Sequence, residues 1–162
     1  MPRISSGMIR CAVSAEAEIL ADLQADCWDD AYTGLISPAI LAGMRDPDER
    51  GRRIENWRVW ASNALVVELS DGSVVGFASS GAPDEPDAPT ALQLYALYVR
   101  DFCWRHGYGR RLLDAALGDR PAHLWVLATN VRAQQFYAHA GFHGDGGTRQ
   151  EQVGTEARWV RM

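Results

Sequence analysis

The residues that could do chemistry are concentrated first in one short loop. Positions 105–110 read Arg-His-Gly-Tyr-Gly-Arg, so two glycines lie among three potential cations, directly before an apolar helical run at 111–117. Glycine has no Cβ, so backbone N–H groups can turn toward a ligand where a helix N-terminus leaves further N–H groups unpaired. Anions, and phosphates above all, bind at such places. The same spacing also suits an ordinary tight turn, and the loop alone does not decide between the two.

A second group of polar residues lies on a predicted helix farther along the chain. Asn130 precedes the helix and suits its N-cap, because its side chain can accept hydrogen bonds from the first free N–H groups. Tyr137 shares an apolar face with Ala133, Phe136 and Ala140. A tyrosine in that position ordinarily packs in the core, but its phenol could also donate a proton to a leaving group.

Hydrophobic periodicity predicts the elements that must position these residues. A buried strand precedes the glycine loop, and an Asp-Gly turn at 71–72 joins two strands into a hairpin. Strands are predicted at 8–12, 64–69, 74–79, 92–99 and 123–127. Another extended segment is predicted to start at 142, followed by a polar turn region at 148–154 and one or two closing strands in the tail at 150–162. Helices are predicted at 15–31, at 38–61 with a break near 46–47, at 111–117 and at 130–140.

Composition limits the classes of protein to consider. The chain has 162 residues, of which 47% are hydrophobic and 23% charged, as expected for one soluble domain spanning 1–162. We expect a cytoplasmic protein, because no apolar run could span a membrane and the N-terminus does not resemble a secretory signal. Three cysteines without C-x-x-C spacing suggest neither disulfides nor a metal site. A net charge of −5 argues against nucleic acid as a partner and is compatible with a cationic small substrate.

Two segments taken in order resemble one known family. The run LYVRDFCWRHGYGRRLL, followed by LWVLATNVRAQQFYAHAGF, is similar to the glycine loop and the downstream signature of the GNAT superfamily of acetyl-CoA-dependent N-acetyltransferases. The resemblance implies an α/β (α+β) fold, a mixed, mostly antiparallel sheet of six or seven strands with helices on both faces. It also implies transfer of an acetyl group from acetyl-CoA to a primary amine of a small molecule or peptide, by direct transfer in a ternary complex and without a metal.

The resemblance assigns the cofactor-binding positions. In this family, the backbone of the strand before the loop pairs with the pantetheine amides, and the loop holds the diphosphate. The matching residues are Leu97, Tyr98, Val99, Arg105, His106, Gly107, Tyr108, Gly109, Arg110 and Asn130. The chain departs from the family at Trp104, where Gln or Arg is usual, so one side-chain contact to the cofactor is in doubt.

Catalytic positions follow less completely. The resemblance makes Tyr137 the general acid that protonates the departing thiolate. The family often places a glutamate base near the start of the central strand, but that position holds Gln93, which cannot take a proton. The general base therefore stays open among water and several side chains, which are Glu68, Asp29, Asp30, His106 and His139.

The acceptor side is the least defined part of the prediction. Trp28 and Tyr32 are candidates for a wall of the substrate pocket, because aromatic faces attract alkylammonium or planar groups. Core packing is the alternative for both. The acceptor amine, a preference for another acyl-CoA and the oligomeric state, monomer or homodimer, stay open. Two other functions also stay open: a catalytically silent acyl-CoA-binding regulatory domain of the same fold, and a phosphate-binding module unrelated to acyl transfer.

Overall fold

The structure is a computed structural model that describes residues 6–162. One seven-stranded sheet is surrounded by five α-helices. The strands are β1 (Gly7–Cys11), β2 (Ala64–Leu69), β3 (Val74–Gly81), β4 (Gln93–Val99), β5 (Ala122–Leu127), β6 (His143–Glu151) and β7 (Gly154–Arg161). The helices are α1 (Ala17–Tyr32), α2 (Pro38–Gly43), α3 (Pro47–Trp60), α4 (Tyr108–Leu117) and α5 (Val131–His139).

The sheet has the order β1-β2-β3-β4-β5-β7-β6. Every neighbouring pair is antiparallel except β4 and β5, which run parallel. The predicted fold class is confirmed, with seven strands. Within residues 6–162, no helix is long and apolar enough to cross a membrane.

Apolar side chains cover both faces of the sheet. On one face, α1 and α3 pack over β2 and β3, with Leu20, Trp57 and Phe77 almost fully buried. On the other face, α4 buries Leu112 and Leu113 against the centre of the sheet, and Tyr137 of α5 joins the same cluster. Because α4 and α5 lie on one face at the ends of β4 and β5, their N-termini border the same region.

The helix boundaries follow from local capping. The predicted helix at 38–61 divides into α2 and α3, because Ser37 accepts the N–H of Ala39 (3.2 Å) and Asp46 accepts the N–H of Asp48 (2.9 Å). Proline follows each cap, at the first helical position, where its missing N–H costs nothing.

Two other boundaries differ from the sequence-based expectation. The helix predicted from 111 begins at Tyr108, because Gly107 adopts φ 82° and acts as the N-cap of α4. Half of the glycine loop is therefore the first turn of the helix. Near the C-terminus, the polar turn predicted at 148–154 is much shorter, since β6 extends to Glu151 and β7 starts at Gly154. Cross-strand pairing with β7 keeps those polar residues in an extended conformation.

Candidate active site

The site begins where the central sheet divides. The parallel strands β4 and β5 pair only at Gln93 with His123 and at Leu94 with Leu124. Beyond these pairs the ladder ends, and residues of both strands line a cavity of about 510 Å³. An irregularity of register in the β3–β4 ladder, where Ser79 lies opposite Ala96 and Ser80 opposite Leu94, marks a bulge in β4 at the same level.

Backbone direction decides which part of β4 serves this cavity. The N–H of Arg100 donates to the carbonyl of Val75 on β3 (2.8 Å). Alternate residues of an antiparallel strand face the same neighbour, so the peptide groups of Tyr98 also face β3. Those of Leu97 and Val99 face the opening toward β5. Of the three strand residues predicted to pair with pantetheine, two therefore present backbone groups to the cavity, while Tyr98 contributes its side chain to the wall.

The glycine loop forms the adjoining end of the cavity. Arg105 has φ 65° and Gly107 has φ 82°, so the backbone turns sharply just before α4. The first hydrogen bond of α4 runs from Arg111 N–H to the Gly107 carbonyl (3.1 Å). The N–H groups of Gly109 and Arg110 thus lie outside the ladder of the helix, where the helix dipole favours an anion.

Side chains of this loop are placed differently from one another. Arg105, Tyr108 and Arg110 line the cavity. The Arg110 guanidinium also forms an ion pair with Asp114, one turn along α4 (3.0 Å). His106 turns back to the loop, where its Nδ1 lies 2.8 Å from the Trp104 carbonyl, and it does not line the cavity.

Asn130 lies at the start of α5, on the side of the cleft opposite the glycine loop. Its side-chain oxygen accepts the N–H of Ala133 (3.1 Å), so it caps the helix as the sequence suggests. It is 6% exposed and lines the cavity. The capping bond uses only Oδ1, which leaves the amide NH₂ available as a donor to a ligand.

Three tyrosines converge beside the cleft. Tyr137 is 8% exposed and packs edge-on against Phe136 and Phe142, and within the described chain its hydroxyl forms no hydrogen bond. The hydroxyls of Tyr32 and Tyr98 share a hydrogen bond of 2.7 Å. Burial raises the pKa of all three phenols, so they stay protonated at neutral pH.

Trp28, predicted as a second wall residue, does not line the cavity. Its ring contacts Tyr32 edge-on at 5.3 Å between centroids, on the side of a small apolar cluster that contains Ile36 and Leu41. Trp28 therefore packs on the side of the Tyr32 ring that faces away from the cavity, because the two residues lie on successive turns of α1. The cavity is also lined by aromatic residues that the sequence did not single out, namely Tyr95 and Trp125.

None of the side chains considered as general base lines the cavity. The acidic candidates are each held by an arginine: Glu68 by Arg10 (2.5 Å), Asp29 by Arg45 (2.6 Å) and Asp30 by Arg100 (2.7 Å). His139 contacts the Gln135 carbonyl at 2.7 Å. Gln93 is buried, and its Oε1 has no partner among the residues described. The described side chains that line the cavity include phenols, arginines and the Asn130 amide, but no carboxylate and no imidazole.

Sequence reasoning missed a buried polar cluster at the start of β5. His123 is fully buried, with Nδ1 2.7 Å from the Thr90 hydroxyl and Nε2 2.6 Å from a Glu85 oxygen. This contact does not meet the geometry of a hydrogen bond, so Nε2 has no hydrogen-bond partner within residues 6–162. The cluster attaches the acidic loop at 82–89 to β5, and no spacing in the sequence indicates the pairing. Nowhere in residues 6–162 do three or more His, Cys, Asp or Glu side chains form a group that could hold a metal ion.

Comparisons with known proteins agree with this arrangement. The sequence model of the Acetyltransferase (GNAT) family matches residues 20–142. A probable N-acetyltransferase of Mycobacterium tuberculosis is 30% identical over 150 residues, which cover 86% of this chain and 82% of that protein.

Solved structures share the fold at lower identity. The PaiA N-acetyltransferase of Thermoplasma acidophilum, in complex with coenzyme A, superposes with a TM-score of 0.72 at 19% identity, covering 94% of this chain and 98% of that one. An N-acetyltransferase of Staphylococcus aureus gives a TM-score of 0.72 at 16% identity, covering 94% and 99%.

Proposed function

The chain belongs to the Acetyltransferase (GNAT) family, whose members are acetyl-CoA-dependent acyltransferases, and we propose that it acetylates a primary amine of a small molecule or peptide. Transfer would be direct, with both substrates bound at once. The observation that carries the proposal is the cleft between β4 and β5, in which a free strand edge, a glycine loop and a buried phenol border one cavity.

The residues present fit the acetyl-CoA that this chemistry requires. At an unpaired edge, Leu97 offers its N–H and carbonyl and Val99 offers its N–H, and pantetheine amides can add there like an extra strand. The Val99 carbonyl already accepts the indole N–H of Trp104 (2.7 Å). The first turn of α4 offers free N–H groups to the diphosphate. Gly109 allows Phe136 to pack close to this turn, because a Cβ at position 109 would lie 3.3 Å from the Phe136 ring. When bound, the cofactor supplies an acetyl thioester.

In the proposed mechanism, Tyr137 acts on the leaving group. A C–N bond forms to the acetyl carbon, the C–S bond breaks, and the Tyr137 hydroxyl gives its proton to the sulfur. The buried phenol is suited to this role because it is protonated at neutral pH and its hydroxyl forms no internal hydrogen bond in the described residues. The amine proton passes to water, since the acidic side chains considered as base lie away from the cavity wall. Water returns a proton to the Tyr137 phenolate, so that amine and acetyl thioester become amide and thiol.

We propose that the acceptor binds against the aromatic wall. Tyr32 and Tyr98 form a hydrogen-bonded pair beside Tyr137, and Tyr95 and Trp125 border the same cavity. Such a wall excludes water from one side of the reacting amine and offers π faces to a ligand. The hydroxyl pair can orient the amine nitrogen by a hydrogen bond, which makes Tyr32 the best candidate for an acceptor contact.

A broad amine screen tests the proposal. Purified protein is incubated with acetyl-CoA and a panel of amino acids, polyamines, aminated antibiotics and short peptides, and thiol release is measured. One peptide of each matched pair has a free N-terminus and no lysine, and the other has a blocked N-terminus and one lysine. Thiol release that depends on the amine, with an acetylated product identified by mass, supports the proposal. Binding of coenzyme A without turnover of any amine would instead indicate a silent regulatory domain.

A further inference from the structure

The basic residues of this chain differ in whether their side chains have an ion-pair or hydrogen-bond partner. All 16 are arginines, since the sequence contains no lysine. In the part of the chain that the structure describes, all but two of them form an ion pair or a hydrogen bond, even those on the open surface. The two exceptions are Arg105 and Arg132, and both line the same cavity.

Arg132 is held by an aromatic ring instead of a carboxylate. Its guanidinium carbon lies 3.5 Å from the centroid of the Trp104 ring. The indole N–H of Trp104 in turn donates to the Val99 carbonyl (2.7 Å), which fixes the ring at the end of β4. Arg132 is exposed, and the ring face attracts its guanidinium without neutralising the charge.

The two arginines lie on opposite sides of the cleft. Arg105 belongs to the loop that follows β4, and its own backbone has the left-handed conformation (φ 65°). Arg132 lies in the first turn of α5, two residues after the cap Asn130, on the side that follows β5. Both arginines are exposed and neither has a carboxylate partner among the described residues, so an anion in the cleft can reach either guanidinium.

We propose that Arg132, positioned by stacking on Trp104, binds an anionic group of the acyl-CoA in the cleft. The inference rests on the proposed function. The planar fork of arginine matches the oxygens of a phosphate or of a carboxylate, so the anion is either a phosphate of the cofactor or a carboxylate at its acyl end. Trp104 then has a defined purpose, since it positions a cation from α5 in place of the polar side chain expected at its own position.

The test compares ligands that carry or lack the phosphates or the acyl carboxylate. Calorimetry gives the Kd of coenzyme A and of pantetheine, which lacks the adenosine and all three phosphates, for wild type, Arg132→Gln and Arg132→Lys. A charge-assisted hydrogen bond predicts about 10- to 100-fold weaker binding of the affected ligand. Loss confined to coenzyme A identifies the phosphate as the source. Equal binding of coenzyme A, with a loss confined to succinyl-CoA relative to acetyl-CoA, identifies the acyl carboxylate.

Control variants separate a local contact from general electrostatics and from misfolding. Arg52→Gln removes the same charge from α3, where Arg52 pairs with Glu49 outside the cavity (3.0 Å), and should leave every Kd within about twofold, as expected for a screened distant charge. Trp104→Phe keeps a ring under the guanidinium and should retain most of the affinity, whereas Trp104→Leu should behave like Arg132→Gln. Thermal melts monitor folding.

Two negative outcomes have different meanings. If folded Arg132→Gln binds all four ligands as wild type does, the assignment of Arg132 is overturned and the proposed function stands. If the wild type binds none of the ligands, the proposed function fails, and the assignment of Arg132 fails with it.

Discussion

Replacing Tyr137 by Phe removes a single oxygen from the centre of the proposed mechanism. The Tyr137 ring packs against Phe136 and Phe142, and those apolar contacts remain in the variant. Its hydroxyl forms no hydrogen bond in the described residues, so folding loses no internal partner. We therefore expect the free energy of unfolding to change by about 1 kcal/mol or less.

The expected loss of rate can be estimated from acidity. A positioned proton donor typically contributes about 10²–10⁴ in rate, or about 2.7–5.4 kcal/mol of activation free energy. Burial raises the pKa of Tyr137 above its usual value, whereas an ordinary thiol has a pKa of about 8.5, so proton transfer from phenol to thiolate is uphill. The positive charge of Arg132 lowers the phenol pKa and opposes the effect of burial only in part. We therefore expect a loss near the lower end, about 10²-fold.

The measurement is thiol release in single turnover, so that the chemical step limits the rate. Tyr95→Phe is the matched control, because it removes a phenol oxygen from the same cavity, where the hydroxyl donates to the Ala82 carbonyl. The control should keep its rate within a few-fold, and both variants should bind acetyl-CoA nearly as wild type does. More than half of the wild-type single-turnover rate in folded Tyr137→Phe would refute the reasoning, since the thiolate would then leave without this proton.

Three further predictions follow from binding, packing and charge. Acetyl-CoA at a hundredfold excess over its Kd should stabilise the protein by about 2.7 kcal/mol and raise Tm by about 5–10 °C; a melting curve unmoved by acetyl-CoA and coenzyme A would contradict cofactor binding. Gly109→Val should lower both Tm and coenzyme A affinity, because a Cβ at this position would lie 3.3 Å from Phe136. In the control Gly107→Ala the new Cβ meets no atom within 4 Å, and only the backbone at φ 82° is strained. An unchanged Tm and an unchanged Kd for Gly109→Val would show that the turn can accommodate a branched side chain. The hydrogen bond from Arg10 lowers the pKa of Glu16, so the stabilisation by this ion pair is complete above pH 4.5 and is lost as the pH falls through the lowered pKa. In Glu16→Gln, Tm should therefore depend less on pH in that acidic window. Parallel curves of Tm against pH for the variant and wild type would count against the ion pair.

The sequence by itself determined the elements and the family. Caps, prolines and hydrophobic periods act over a few residues, so the break at Asp46, the hairpin turn at 71–72 and the helix cap at Asn130 were readable without tertiary contacts. The glycine loop and the downstream signature were readable for the same reason, because each is a continuous stretch whose local conformation brings its own backbone groups together.

Only the tertiary structure decided which of these groups share a cavity and which way they face. Peptide groups of Val99 point to the cleft and those of Tyr98 do not, because the β3–β4 ladder fixes the alternation. Trp28 lies behind Tyr32, since the packing of α1 on its neighbours sets their depth. The stack of Arg132 on Trp104 joins residues far apart in the chain, which meet because β4 and β5 part after two pairs. Such contacts depend on strand order and register, and no local pattern of residues encodes them.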